Sequence, residues 1–510
     1  MIKESFPRRQ EIPLTATLVD CLVESFNREE IVYCHWKSNI DLARATAGKM
    51  DLDLLVDRKS LAPALAILSR LGFKAAVARW GANPTSISHF YGLDPDTSEL
   101  IHVHLFTRVL TGETYVKSHL FPFESMLLEN VTYSDRVRVT SRPAELVLFT
   151  LRMFVKYGSL LDLVSLRRKS ENLRAEVRWL QDGGDLAEAL SLLREYCPVI
   201  DEHLFVTCVK TLNDDSPLIR RMMLAQQVRR RLKVYAKHTS FRRLLAYSQV
   251  LWAEVRRRLG TKQKNKVLRA GGAVVAIVGA DATGKSTLVA ETRRWLGGVF
   301  TIKTIHTGKP PSTLSTAPIN IALALVRRLM AFRRSIRRKR QTSPGDATPP
   351  QHTFAGLSSI PYALRSVTLA WDRRQLILKA RRLAGQGDII ICDRYPSRLR
   401  GAMDSPRLEE ERRPRGPVAS FYNRLSRLEA QLYRQIPPPD IVLRLRVSLE
   451  TAKKRNNARL EQDGDTYLEA RHQQSQNWSM PGTRSVYDID TEQTLEETVR
   501  SVKEAIWEAL

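Results

Sequence analysis

Residues Gly279-Ala280-Asp281-Ala282-Thr283-Gly284-Lys285-Ser286 match the pattern G-x-x-x-x-G-K-[ST] at every fixed position. Before them, Ala273 to Val278 is a continuous apolar run, as a parallel strand shows when both faces are buried. After them, Thr287 through Leu296 reads as a helix. Strand, glycine turn and helix in that order aim several backbone N–H groups and the positive end of a helix at one anion. The spacing gives each residue a task. Gly279 and Gly284 let the backbone close around phosphate oxygens, and Asp281, Thr283 and Thr287 complete the cradle. Lys285 reaches the outer phosphates, and Ser286 offers its hydroxyl to Mg²⁺. The expected ligand is a nucleoside triphosphate, with ATP and Mg²⁺ as cofactors.

A chain of 510 residues exceeds one ordinary domain, so two or three are expected. Lysine and arginine number 81 against 54 acidic residues, a net charge of +27. Such a field favours anionic partners: nucleotides, nucleic acid or an anionic membrane surface. The five cysteines (21, 34, 197, 208 and 392) have no C-x-x-C spacing, which argues against a zinc or redox site and for reduced thiols. The first residues carry no apolar targeting core, and no run reaches membrane-spanning length. A cytoplasmic protein is expected.

Residues 1–142 alternate helical and strand-like segments, as an α+β unit would. From 143 to 262 the pattern is helical and ends densely basic, with Arg229-Arg230-Arg231, Arg242-Arg243 and Arg256-Arg257-Arg258. The remaining stretch, 270–510, holds the phosphate loop and a disruptive basic insertion at about 310–359, which includes the run Arg333 to Arg340. The basic runs suit phosphate backbones or an anionic bilayer, although most charge runs are solvated faces.

A second landmark is Asp388-Ile389-Ile390-Ile391-Cys392-Asp393-Arg394-Tyr395-Pro396. Here an apolar strand ends in a carboxylate, which in open α/β sheets lies at the ligand-binding edge. Asp393 is placed to hold Mg²⁺, and Arg394 can grip a second phosphate. A helix ahead of this strand carries Asp372-Arg373-Arg374. A further strand, Pro439 to Leu443, leads to Arg455 and Arg459, four residues apart and able to share a helical face or flank a lid. Closing arginines of this kind neutralise charge during phosphoryl transfer.

The ordered set resembles thymidylate kinase over 270–510, minus the insertion. The loop from Gly279 to Thr287, with aspartate at its third position, is similar to that family's phosphate loop. Leu369-Ala370-Trp371-Asp372-Arg373 looks like the helix whose arginine grips the acceptor phosphate. Asp393-Arg394-Tyr395 looks like the family's Asp-Arg-Tyr motif, and Arg455 and Arg459 look like its lid. The resemblance implies an α/β P-loop kinase domain with a parallel sheet that moves the γ-phosphoryl of ATP to a nucleoside monophosphate. It implies catalytic roles for Lys285, Asp393, Arg394, Arg455 and Arg459, and an acceptor site at Arg373, Arg394 and Tyr395. The departures fall on the acceptor side. Thr307-Gly308-Lys309-Pro310 lacks the usual carboxylate, Leu369 takes the place of the thymine-stacking aromatic, and Pro396 to Met403 lacks the base-reading Ala-Tyr-Gln stretch. Thymidylate specificity is therefore expected to be weak.

In the first domain, Lys37-Ser38 precedes Asp51-Leu52-Asp53. Carboxylates at alternate strand positions share a face and can hold divalent metal jointly. This resembles nucleotidyltransferases of the DNA polymerase beta type, with Lys37 in the glycine place. A third carboxylate is normal there, but His102 and His104 occupy the corresponding strand. Imidazole suits softer metals than Mg²⁺, so binding of nucleotide or a phosphorylated ligand is expected more than transfer. Two other readings stay open. One is a kinase of the same fold acting on a sugar or lipid-linked phosphate. The other is a nucleotide-gated protein that binds nucleic acid or membrane. The oligomeric state is not legible.

Overall fold

The computed structural model describes residues 17–79, 83–112, 117–156, 170–214, 216–237, 266–325, 359–410, 416–458 and 464–510, with positions 248, 252 and 328. The chain divides into two compact units, 1–269 and 270–510.

The first unit is built on strands β1 (Tyr33–His35), β2 (Leu52–Val56), β3 (Lys74–Ala78), β4 (Ile87–Leu93), β5 (Leu100–Phe106), β6 (Val109–Thr111), β7 (His119–Phe121), β8 (Val131–Ser134), β9 (Val137–Thr140) and β10 (Lys266–Leu268). Eight of them form one sheet in the order β10-β3-β4-β5-β2-β1-β9-β8, and β6 and β7 make a separate hairpin. The β2–β5 and β1–β9 pairs are parallel, and the other pairs are antiparallel.

Five described helices follow: Arg142–Lys156, Ser170–Asp182, Leu186–Tyr196, Glu202–Asn213 and Leu218–Arg231. The first of them is buried without a break from Pro143 to Leu151, so it is the central helix of this block rather than a surface helix. Leu146, Phe149 and Phe154 share one apolar core with Trp36, Phe106 and Phe121 of the sheet region and with Leu193 and Phe205 of later helices. The change from strand to helix near residue 142 is thus a change of element type inside one packed body. Truncating one of these aromatic residues, such as Phe149→Ala, removes about 3–5 kcal/mol.

The second unit carries β11 (Ala273–Gly279), β12 (Ile302–His306), β13 (Ile389–Asp393), β14 (Ile441–Arg446) and β15 (Ser485–Asp490). Their order is β12-β13-β11-β14-β15, with every pair parallel. The expected parallel sheet is present, and the apolar run before the loop is its central strand, buried from Ala273 to Val278. Parallel strands end on the same edge, so the phosphate loop, Asp393, His306 and the segment after Arg446 all emerge together. Within the expected insertion, 317–325 is helical, and 329–358, with the Arg333–Arg340 run, lies outside the described residues. No described helix is long and apolar enough to cross a membrane.

Candidate functional site

The loop after β11 turns into the helix Lys285–Gly297, with Gly284 at its N-cap in the left-handed region at φ 86°. That conformation favours glycine. Gly279 is required for a different reason: a Cβ there would stand 2.9 Å from the Leu445 carbonyl oxygen of the neighbouring strand. Thr283 is buried, and its hydroxyl donates to the Ala280 carbonyl at 2.9 Å, which holds the turn. Ser286 and Thr287 are exposed in the first helical turn. Lys285 lies along the loop, donating to the Gly279 carbonyl at 3.0 Å and to the Ala280 carbonyl. Burial pulls its ammonium down to about 8, against the opposing pull of Asp281.

Asp281 is the hub of the loop. Arg394 Nη2 donates to it at 2.8 Å, Arg471 Nε at 3.2 Å, and Lys285 Nζ stands at 3.8 Å. Burial alone would raise this carboxyl, but Lys285, Arg394 and Arg471 outweigh it and hold it below the usual carboxylate range. Three cations thus converge on one carboxylate at the loop. Arg394 reaches it from a strained backbone at φ 70°. Such strain in a non-glycine residue persists only where surrounding contacts hold it, and it clusters at functional sites.

Asp393 stands beside His306 in the sheet register. Its Oδ2 pairs with His306 Nδ1 at 2.9 Å, while its Oδ1 is buried without a hydrogen-bond partner among the described residues. A buried oxygen of this kind suits a hard cation, and the exposed Ser286 hydroxyl is an oxygen of the type such a cation takes. The residues present therefore fit Mg²⁺.

The other expected site residues are differently placed. Arg373 is completely buried, and its guanidinium is fully used. It donates to the Thr307 carbonyl at 3.0 Å, the Tyr433 hydroxyl at 2.6 Å, the Asp404 carboxylate at 2.8 Å and the Gly308 carbonyl at 3.3 Å. Here it staples the chain after β12 to the chain around Asp404, rather than presenting free donors to an acceptor. Asp372 beside it accepts from Thr313 and Thr316. The Tyr395 ring is buried, and its hydroxyl donates to the Pro437 carbonyl at 2.6 Å. Arg455 donates to the Thr491 carbonyl at 2.6 Å. Arg459 lies outside the described residues.

Reading the sequence missed His306, Asp404 and Arg471. His306 had a signal, since it ends the strand next to β13. Arg471, on the helix Asp465–Gln476, had none, because only folding brings it to Asp281. Beside the loop is a cleft of ≈ 370 Å³ bordered by Arg444, Arg446, Ser448, His472, Asp490 and Glu492.

In the first unit, Asp51 and Asp53 border a cleft of ≈ 300 Å³ together with His35, Lys37, Ser38 and Asp41. Lys37 Nζ stands 2.9 Å from Asp53, and His104 Nδ1 stands 3.2 Å from it. Asp51 pairs with His102 Nδ1 at 2.7 Å. Burial would raise both carboxyls, but the facing cations and imidazoles outweigh it and lower them. Among the described residues, one close group of three metal-ligating side chains occurs, His89, His102 and His104, and it contains no carboxylate. Beneath the cleft, Asn39 donates to buried Glu145 at 2.7 Å and contacts His35 Nδ1. Of the basic runs, Arg229 is tied to the Val155 carbonyl at 2.6 Å and Arg231 stands 3.8 Å from Asp201. Arg242-Arg243 and Arg256 to Arg258 lie outside the described residues.

The second unit is thus an α/β body with a glycine-rich loop and a charged cluster at the carboxyl edge of a parallel sheet. No protein-family model matches the chain. The uncharacterised ATP-binding protein YghR of Escherichia coli K12 is 27% identical over 194 residues, covering 35% of this chain and 67% of that protein. The version from Escherichia coli O6:H1 matches to the same extent. Among solved structures, deoxyadenosine kinase from M. mycoides with dCMP and dCDP covers 46% of this chain and 98% of its own, at 17% identity and a TM-score of 0.27. The same enzyme with dATP gives 18% and 0.26. Scores this low add nothing to what the sheet itself displays.

Proposed function

We propose that residues 270–510 form an ATP-dependent kinase domain, similar to thymidylate kinase in its parts, that transfers the γ-phosphoryl group to a phosphorylated acceptor, a nucleoside monophosphate in the first instance. The observation that carries this reading is the grouping of Lys285, Arg394 and Arg471 around Asp281, with a strand-end carboxylate, Asp393, one of whose oxygens has no hydrogen-bond partner among the described residues. The relative's name as an ATP-binding protein supports the choice of nucleotide. Triphosphate oxygens would take the loop N–H groups. Lys285 would leave the carbonyls of Gly279 and Ala280 for the outer phosphates, exchanging neutral acceptors for an anion. Ser286 and Asp393 would hold Mg²⁺, which supplies charge neutralisation on the phosphate oxygens, and His306 would orient the Asp393 carboxylate. Arg394 and Arg471 would turn from Asp281 to the charge that spreads over the moving phosphoryl group. Arg455, which donates to the Thr491 carbonyl, would close with Arg459 over the transition state. Arg373 and Tyr395 would serve the acceptor side by holding its walls.

The test is ADP release by the full chain with ATP and Mg²⁺, against a panel of nucleoside monophosphates and sugar phosphates. A rate that depends on one acceptor class supports the reading. ATP turnover indifferent to every acceptor, together with salt-sensitive binding to nucleic acid or anionic vesicles, would replace it with the nucleotide-gated binding protein.

For residues 1–142 we infer a nucleotidyltransferase-like cleft that binds a nucleotide or phosphorylated ligand beside Lys37 without efficient transfer. Support comes from the histidines at the place of a third carboxylate, since two-metal transfer relies on carboxylates to bridge both ions. Pyrophosphate release from any triphosphate by Lys285→Ala protein, lost on adding Asp51→Ala and Asp53→Ala, would show the cleft to be active and the inference mistaken.

A further inference from the structure

The phosphate-loop chemistry leaves a group of imidazoles in the first unit unused. Strands β4 and β5 pair antiparallel with His89 opposite His104 and Tyr91 opposite His102. Strand β2 runs parallel to β5 with Asp53 beside His104. Alternate strand residues point to one face, so His89, His102, His104 and Asp53 gather on the same side of the sheet. One ligating nitrogen from each histidine lies within 4.8 Å of the other two. The His89 and His104 ring centroids are 4.2 Å apart, and those of His89 and His102 are 5.3 Å apart.

The hydrogen bonding of these rings sets their lone pairs. His102 Nδ1 faces Asp51 at 2.7 Å, so the proton sits on that nitrogen and Nε2 carries a lone pair. His104 Nδ1 faces Asp53 at 3.2 Å in the same way. A carboxylate on one ring nitrogen is the arrangement that orients a metal-binding imidazole and raises its basicity. We propose that His89, His102 and His104 bind one divalent first-row transition ion of the zinc class, with Asp51 and Asp53 orienting two of the rings. Three imidazoles favour such an ion over Mg²⁺, which demands oxygen ligands. Nitrogens around zinc stand roughly 3.4 Å apart, so the rings close in by about an ångström on loading.

Two groups compete with the ion for the His102 Nε2 lone pair: His89 Nδ1 lies 3.1 Å from His102 Nε2 and must give up this hydrogen bond, and the second is Lys266. Its Nζ lies 3.4 Å from His102 Nε2 and 2.6 Å from the Tyr91 hydroxyl. Metal uptake must move this ammonium away from the nitrogen it shares, so removing it should tighten binding.

The experiment uses the full chain, stripped with a chelator and titrated with Zn²⁺ by calorimetry and with Co²⁺ by visible absorption. The expected result is one equivalent bound. His89→Ala should weaken it at least tenfold, Asp51→Asn about 10–100-fold, and Lys266→Met should tighten it several-fold. Circular dichroism checks that each variant folds. If His89→Ala does not fold, Lys266→Met decides, and unchanged affinity in that variant overturns the proposal. Absence of stoichiometric Zn²⁺ or Co²⁺ uptake overturns it, as does wild-type affinity in folded His89→Ala protein. Mg²⁺ binding that is lost only in the aspartate variants would also overturn it, in favour of an oxygen site.

Discussion

The two carboxylate sites of this chain are opposites in electrostatic design. At the phosphate loop, one carboxylate, Asp281, gathers Arg394, Arg471 and Lys285, while another, Asp393, keeps a buried oxygen without a hydrogen-bond partner among the described residues. At the cleft of the first unit, Asp51 and Asp53 are each already matched, one by imidazole and the other by ammonium and imidazole. The first arrangement gathers three cations on one carboxylate beside the loop. The second spends its carboxylates on orienting rings. Pairs of aspartates that look equivalent in a sequence thus end in different surroundings, one with a buried oxygen left open and the other tied to imidazoles, and the neighbouring strand decides which.

Within the phosphate-loop unit the same contrast separates two arginines, and it yields the largest expected effect. Arg373 is buried and paired with Asp404 at 2.8 Å, so Arg373→Ala empties a buried volume and removes its donors to Thr307, Tyr433 and Asp404 together, which should cost about 3–5 kcal/mol of stability. Arg394→Ala should leave melting nearly unchanged and lower the transfer rate. Thermal melting of both variants checks this. If the pattern reverses, Arg373 is the free acceptor-gripping residue that the resemblance to thymidylate kinase implies.

Lys285→Ala comes next. Its Nζ touches loop carbonyls rather than core side chains, so the loss should fall on the transition state. About 10²–10³-fold in kcat is expected, the scale for removing one preorganised charge donor. Retained turnover would remove this loop from the chemistry and erase the contrast with the first unit.

What could be read in advance followed the range of the interactions. The strand β11, the loop and its helix are consecutive in the chain, so pattern and spacing were enough to place Gly279 through Thr287. The end of β13 at Asp393 was legible because an apolar run closes on a carboxylate. Arg471 was not, because 190 residues separate it from Asp281. His89 was missed for a similar reason: its position opposite His104 depends on the β4–β5 register, which no local pattern carries. Arg373 was visible as a residue but not in its bonding, since Thr307, Asp404 and Tyr433 come from three other segments. The helices after residue 142 were legible by period, whereas their sharing a core with the sheet was not.

A smaller effect concerns the floor of the first cleft. Glu145 is buried and receives Asn39 N–H groups, and burial, reinforced by the nearby Glu176, raises its carboxyl to about 7 from an ordinary 4.5. The folded value lies above the unfolded one, so the folded state binds more protons between those limits. Its stabilising contribution is complete below about pH 4.5 and is lost as pH rises through about 7, with a span of roughly 3 kcal/mol. Melting of the full chain should therefore fall between pH 5 and 8, and Glu145→Gln should flatten that slope. The same slope in the variant would assign the dependence to other groups and leave the first cleft without a titrating floor.

The smallest expected effect lies on the acceptor side of the phosphate-loop unit. Leu369 is buried in the helix Ile360–Gly385 and offers no ring face where the thymidylate kinase resemblance would place a stacking aromatic. A stack contributes about 0.5–1.5 kcal/mol beyond burial, and each base hydrogen bond about the same. Without them, kcat/KM for thymidine monophosphate should exceed that for uridine, cytidine or guanosine monophosphate by less than roughly tenfold. Leu369→Phe then tests the pocket in the opposite direction. If the helix presents this position to the base, the ring should raise thymidylate preference by a few-fold, and if the residue is purely core it should lower stability with no change in preference. A thymidylate preference of about a hundredfold in the unmodified protein would mean that contacts from outside the expected positions read the base. It would also mean that the acceptor side, like the histidine cluster, is assembled across strands and segments rather than written in one stretch of chain.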